Sequence, residues 1–147
     1  MLSELFALEV EVGTPQSIGR TDAGERRCIP IIGGQVSGRL AGRVLAGGAD
    51  WQMLRPDGVA DLDARYMLET DAGAHVEVWS RGLRVASPEV MARMAAGEAV
   101  AASAYYMRTA MRFDTAAPDL QWLVQRLCIG IGERRPDRVL LKVFAVD

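Results

Sequence analysis

Lysine is nearly missing from this sequence. Lys142 is the only one, so the positive charge of the 17 basic residues rests almost wholly on guanidinium groups. Such groups suit planar, bidentate recognition of carboxylate or phosphate, although an arginine-favouring coding composition gives the same bias. Histidine occurs once, at His75, and without further ligands in view it marks no metal centre. Cysteine occurs twice, at Cys28 and Cys128, far apart and without C-x-x-C spacing, so neither a zinc site nor a redox pair is signalled. Both read as free thiols in a reducing, cytoplasmic setting. No run of about 18 apolar residues occurs. The start, MLSELFALEVEVG, lacks the basic region and small-residue cleavage site of a secretory leader. The expectation is a soluble, untargeted chain with no membrane partner. Excess positive charge is absent too: 17 basic residues stand against 19 acidic ones, a formal net charge of -2, which gives no global attraction for nucleic acid.

What is present is alternation. A chain of 147 residues is long enough for one domain, residues 1–147, with a core that needs no disulfide or metal. FALEVEV places Phe6, Leu8, Val10 and Val12 on one face and Ala7, Glu9 and Glu11 on the other, the pattern of a half-buried strand. The following GTPQSIGRTDAGERRC is rich in glycine, charge and turn formers and reads as a long loop or mobile flap. In QVSGRLAGRV, Val36, Gly38, Leu40, Gly42 and Val44 share a face, and glycines there suggest a bend, a bulge or close approach by a neighbour. ADLDARYMLETD and AHVEVWSRG form a hairpin candidate about the turn at residues 71 to 73.

One helix is expected, near residues 88–96: Ser87 caps it, Pro88 suits its first turn and Gly97 ends it. YYMRTAMRFDT, LQWLVQRLCIGIGERR and RVLLKVFAVD read as further extended segments. Many meandering strands with one short helix predict an all-β fold, an antiparallel up-and-down β-barrel of lipocalin-like form. Pairing of FALEVEV with VLLKVFAV would close it and remove the exposed edges.

Three stretches carry a family likeness: GGQVSGRLAGRVLAGGADWQMLRPDGVADLDARYMLETDAGAHVEVWSRGLR, then YYMRTAMRFDT, then LQWLVQRLCIGIGERRPDRV. In order, they resemble an uncharacterised bacterial and fungal family, domain of unknown function 3237 or uncharacterised protein family 0311. The resemblance implies an antiparallel barrel with an enclosed pocket and no settled activity. Two positions depart from the family pattern. Met107 stands where phenylalanine is common, and Val124 where relatives often carry asparagine. If that asparagine serves the site, the ligand or the rate differs in this member.

Candidate site residues follow from the strand faces. In GGADWQMLRPDG, Gly47 and Gly48 can bring the chain round so that Asp50 and Trp51 sit at a barrel rim. Asp50 then serves as a general acid or base, or holds a ligand hydroxyl, with Trp51 as an apolar wall. The competing reading makes Asp50 a cap for its own loop and Trp51 a plug. Tyr66, with Ala64 and Leu68, is expected to face inward, leaving Arg65 and Glu69 as a solvated pair. Tyr106 and Arg108 share a strand face, and an inward Arg108 would need an acid, either Asp50 or a ligand carboxylate. The alternative points Arg108 to solvent. Trp122, alternating with Leu120 and Val124, reads as core or pocket wall.

No G-x-S-x-G elbow, phosphate-cradling loop or dinucleotide fingerprint occurs in a strand–turn–helix context, so no cofactor is expected. Two functions fit. One is a cofactor-independent enzyme that moves a proton on a small metabolite, with Asp50, Tyr66 and Arg108 catalytic and Trp51, Tyr106 and Trp122 binding. The other is a lipocalin-like carrier that uses the same residues without chemistry. A third reading makes the polar cluster a latch between strands. A homodimer through an exposed sheet face or residues 13 to 28 is compatible with the sequence, which carries no interface signal.

Overall fold

The computed structural model describes residues 1–147. Ten strands follow one another: β1 (Leu2–Val12), β2 (Gln16–Thr21), β3 (Gly24–Gly38), β4 (Gly42–Val44), β5 (Ala49–Leu54), β6 (Val59–Thr70), β7 (His75–Val85), β8 (Tyr106–Asp114), β9 (Cys128–Arg134) and β10 (Arg138–Val146). Two helices interrupt them, α1 (Pro88–Ala95) before β8 and α2 (Gln121–Val124) after it. Every strand pairing is antiparallel, in the order β1-β10-β9-β8-β7-β6-β4-β3, and β1 pairs again with β3 to close the ring. β4 and β5 lie in line along the same two neighbours, β3 and β6, so they act as one broken stave. The result is a closed antiparallel barrel of eight staves.

Closure follows from the alternation at the two ends of the chain. Leu8 opposes Leu141 on one side of β1 and Val36 on the other, and Val10 opposes Val139 and Gly34. Leu8, Val10, Val36 and Leu141 are buried, so the register that satisfies the hydrogen-bond ladder also turns the apolar face of each strand inward. Outside the seam Arg138 reaches Glu9. The continuous core runs through the barrel to Leu120 and Leu123, and Phe6 meets Phe113 edge to face at 5.6 Å between ring centroids. No helix is long and apolar enough to cross a membrane.

Three segments depart from the alternation-based expectation. Residues 13 to 28 are not a flap: β2 and the first part of β3 form a hairpin about Asp22 and Ala23, and that part of β3 continues across to β5. All six residues of β2 are exposed, so burial leaves no period-two imprint there. The run from Gln35 to Val44 is broken rather than continuous. At Gly38, φ +124°, a Cβ would lie 2.9 Å from the Phe6 Cα, and Leu40 tucks into the core between β3 and β4. LQWLV is helical, not extended. Leu120 and Leu123, three apart, are both buried and seal the barrel end where β8 finishes, while the Gln121 side chain donates to the carbonyls of Thr115 and Ala117. The expected helix is present as α1, with Ser87 Oγ accepting from the Val90 N–H at 3.2 Å.

Candidate functional site

Cross-strand register determines which side chains look into the barrel. Asp50 opposes Ile29 on β3 and Ala64 on β6, and Ile29 is 2% exposed, so the Asp50 carboxylate enters the interior from β5. Gly48 makes this geometry: a Cβ there would lie 2.5 Å from the Cβ of Tyr66, so only glycine lets β5 return so close to β6. Tyr66 is buried on the same face, two residues from Ala64, and is therefore a diagonal neighbour of Asp50.

Asp50 and Tyr66 line an interior cavity of about 40 Å³ together with Ser80 and Thr109; the remainder of the wall is apolar. Room on that scale suits a few waters or one functional group, not a whole metabolite. The Tyr66 hydroxyl and Thr109 Oγ1 are buried without a hydrogen-bond partner. Asp50 accepts from the Gln52 amide through Oδ2 at 2.8 Å and from the Asp63 backbone N–H through Oδ1 at 3.1 Å. Burial pushes its pKa above the ordinary carboxylate value, opposed by these hydrogen bonds and by the charges of Arg84 and Arg134. Burial, reinforced by the Asp50 charge, also drives the Tyr66 hydroxyl far up, so it stays a donor.

Beside α1 lies a cleft of about 740 Å³ that shares no lining residue with the cavity, although its Arg84 and Arg134 are near enough for their charge to act on Asp50. Five arginines line it: Arg20 and Arg55 are exposed, whereas Arg27 of β3, Arg84 of β7 and Arg134 of β9 reach it from the inward faces of three strands. Arg27 donates through Nε and Nη2 to Gln52 Oε1, so the Gln52 amide links Arg27 to Asp50. Arg134 is held through its backbone N–H, which donates to the Tyr105 hydroxyl at 2.8 Å. Arg84 is only 3% exposed, and its Nε and Nη1 have no acceptor; Arg134 Nη1 is likewise buried and unpartnered. Burial and the neighbouring guanidiniums of Arg27 and Arg134 lower Arg84 to about 10, which still leaves it charged at neutral pH. Burial first, then Arg27, lowers Arg134, and burial lowers Arg27.

Of the residues singled out from the sequence, Asp50 and Tyr66 meet as expected. Arg108 and Tyr106 do not join them. Met107, Thr109, Met111 and Phe113 occupy the inward face of β8, so its opposite parity, Tyr106 and Arg108 included, lies outside. There the Arg108 guanidinium sits 5.1 Å from the Tyr106 ring centroid and donates to the Met107 carbonyl. The expected Asp50–Arg108 pair is absent. Trp51 is also outside, opposite Cys28 and Asp63, 42% exposed and near Arg26, so it neither walls the cavity nor plugs the barrel. Trp122 is on α2 at the sealed end, under the Arg39 guanidinium at 3.9 Å, with the barrel core between it and the Asp50 cleft. Val124 shares that end and touches neither cavity nor cleft, whereas Met107 lines the cavity. Arg65 pairs with Glu77 rather than Glu69, which is taken by Arg43 and His75.

Arg27, Gln52, Ser80, Arg84, Thr109 and Arg134 were not singled out by the sequence reading. A signal existed for the last four. In HVEVWSRGLR, continuing the parity of Val76 and Val78 reaches Ser80 and Arg84; in CIGIGER, that of Cys128 reaches Arg134; and Phe113 fixes Thr109 as inward. No group of three or more His, Cys, Asp or Glu residues comes together that could hold a metal ion.

The sequence pattern of the family described as protein of unknown function (DUF3237) matches residues 1–146. A UPF0311 protein of Rhodopseudomonas palustris is 41% identical over 143 residues, covering 97% of this chain and 94% of its own. A crystal structure of a conserved protein of unknown function from Rhodopseudomonas palustris superposes with a TM-score of 0.95 at 39% identity, covering 100% of this chain and 97% of that one. An enzyme from Penicillium herquei shares the fold, with a TM-score of 0.72 at 20% identity, covering 97% of this chain and 93% of its own. With its full length matched and identity near two-fifths to a curated relative, the chain belongs to the uncharacterised DUF3237 family, UPF0311.

Proposed function

We propose that this barrel binds a small metabolite in the cytoplasm and acts on it as a cofactor-independent acid–base enzyme, with Asp50 exchanging the proton. The observation that carries this reading is that Asp50 is the only carboxylate lining the interior cavity, facing the unpartnered hydroxyls of Tyr66 and Thr109. Burial raises the Asp50 pKa, the direction that makes a carboxylate a stronger proton acceptor. Tyr66 and Thr109 supply donors where negative charge develops on a substrate oxygen. In the simplest sequence Asp50 removes a proton from a carbon beside a carbonyl, the C–H pair shifts into the enolate, Tyr66 donates to its oxygen, and the Asp50 carboxylic acid, after exchange with solvent, returns a proton to the same carbon as the carbonyl re-forms. On this reading the reacting group lies at the cavity and the rest of the molecule toward the cleft beside α1. The Penicillium herquei protein of the same fold is an enzyme, which supports chemistry in this architecture.

The test is solvent deuterium incorporation at the carbon next to the carbonyl of a panel of 2- and 3-oxo carboxylates, followed by proton NMR. Wild type is expected to exchange at least one member, Asp50→Asn to lose the exchange, and Tyr66→Phe to slow it. Exchange that survives unchanged in both variants removes the assignment. Tight binding of a panel member recovered without exchange favours the carrier reading instead.

A further inference from the structure

The three guanidinium groups at the mouth are more than the surrounding acceptors satisfy. Arg27 has Gln52, but Arg84 leaves two of its three nitrogens buried and without an acceptor, and Arg134 leaves one. A buried, uncompensated guanidinium costs several kcal/mol, so stability does not explain Arg84, flanked by Arg27 and Arg134 on the inward faces of two other staves. Apolar residues at those positions would pack at lower cost. The arrangement resembles a receptor with donors to spare, Nε and Nη1 of Arg84 and Nη1 of Arg134, beside an Arg27 held by Gln52.

We infer that the cleft is a binding site for the carboxylate of an organic acid, held by Arg84 with Arg134 and Arg27 while the acid's apolar body lies against Leu54, Met91 and Met94. Carboxylate is favoured over phosphate by charge. Of the five arginines, Arg55 is paired with Asp57 and Asp61 and Arg20 is exposed, while the inner three share the fields of Asp50, Glu25 and Asp137, so the inner end of the cleft is set for a single negative charge. A planar monoanion also matches the guanidinium fork. The apolar side comes from α1, whose Met91 and Met94 are half-buried at the cleft, and flexible thioethers accept varied shapes. This inference rests on the same site as the acid–base reading and deepens it: a carboxylate fixed at Arg84 directs the adjacent carbons down toward Asp50.

Binding can be tested without turnover, by calorimetry and thermal unfolding of the whole chain with benzoate, its neutral analogue benzamide, and inorganic phosphate. Benzoate is expected to bind and raise Tm, benzamide and phosphate to do neither. Arg84→Met is expected to weaken benzoate by about tenfold or more, the loss of a charge-assisted contact. Because the substitution removes an unpaired buried charge, the variant should fold at least as stably as wild type without ligand. Arg134→Met gives a second reading at the same site. Asp50→Asn should bind benzoate at least as tightly, since a nearby negative charge is gone. Equal binding of benzoate and benzamide, a benzoate affinity unchanged in Arg84→Met, or phosphate binding where benzoate does not, each overturns the inference. Arginine-dependent benzoate binding without any Asp50-dependent exchange would instead overturn the acid–base reading alone.

Discussion

Gln52 donates from Nε2 to Asp50 Oδ2 at 2.8 Å, two residues away on the inward face of β5. The other end of the same amide accepts both Nε and Nη2 of Arg27, so the orientation of the amide is fixed by its two neighbours. Gln52 is 3% exposed, which makes it a buried coupling between the mouth and the interior acid. Gln52→Leu keeps the bulk and removes both links. It is expected to raise the Asp50 pKa further, because a hydrogen bond to the ionised form is lost, and to cost about 1–3 kcal/mol by leaving the Arg27 donors without their acceptor. Carbon-13 titration of the carboxyl and urea unfolding read the two effects separately. An Asp50 midpoint that does not move would mean the amide holds Arg27 alone.

Asp50 itself makes stability depend on pH. Its pKa is raised on folding, so between the unfolded and folded midpoints the native state binds more protons and stability falls as pH rises. Above the folded midpoint the loss is complete and stays constant. Asp50→Asn lacks this titration yet keeps an oxygen for the Asp63 N–H. The Tm of the variant relative to wild type should therefore climb with pH across the window above the ordinary Asp range, and be higher than wild type at neutrality. Thermal scans from pH 3.5 to about 8 check this. A lower Tm at neutral pH would identify Asp50 as a latch between β5 and β6 rather than a functional acid.

Arg108 offers the opposite expectation. It lies on the outer face of β8 over Tyr106, with its guanidinium donating to a local carbonyl. Arg108→Ala should leave benzoate binding unchanged and shift stability by no more than about 0.5 kcal/mol, in the ordinary range for surface substitutions. Trp51→Ala should likewise spare binding, since that ring packs outside against Arg26. Calorimetry on the two variants beside Arg84→Met separates outer from inner arginines directly; loss of binding in Arg108→Ala would contradict the register of β8.

The contrast between Arg84 and Arg108 shows how far the sequence could be read. The barrel was legible because β1 and β10 alternate without interruption and each needs a partner for its apolar face. Asp50 and Tyr66 were legible because the glycines at 47 and 48 mark a sharp return and Ala64, Tyr66 and Leu68 form the more apolar parity of β6. The choice between an inward and a solvent-facing Arg108 is open within YYMRT alone; Phe113, five residues on, sets the inward parity and turns Arg108 out. Arg84 and Arg134 were passed over for a physical reason. They sit at the mouth ends of β7 and β9, where an inward position no longer has to be apolar, so hydrophobicity stops reporting direction while backbone geometry still imposes it. LQWLV supports both periods, with Leu120, Trp122 and Val124 spaced by two and Leu120 and Leu123 by three. Pro118 starts the turn that decides for the helix.

That helix gives the last expectation. Leu123 is fully buried where α2 seals the end of the barrel remote from the arginines, packed in the same core as Phe6, Leu68 and Phe113. Leu123→Ala removes a buried side chain from a site bounded by closed strands, which limits collapse around the gap, so a cost of about 2–5 kcal/mol is expected in urea unfolding. The cleft by α1 shares no residue with this seal. Effects at separated sites add, so benzoate affinity in Leu123→Ala should match wild type wherever the variant is folded, and the double variant with Arg84→Met should show the sum of the two single changes in stability. A loss of benzoate affinity in Leu123→Ala alone would show that packing at the sealed end sets the arginine geometry at the other, and that the barrel responds as one unit rather than as a plug and a mouth.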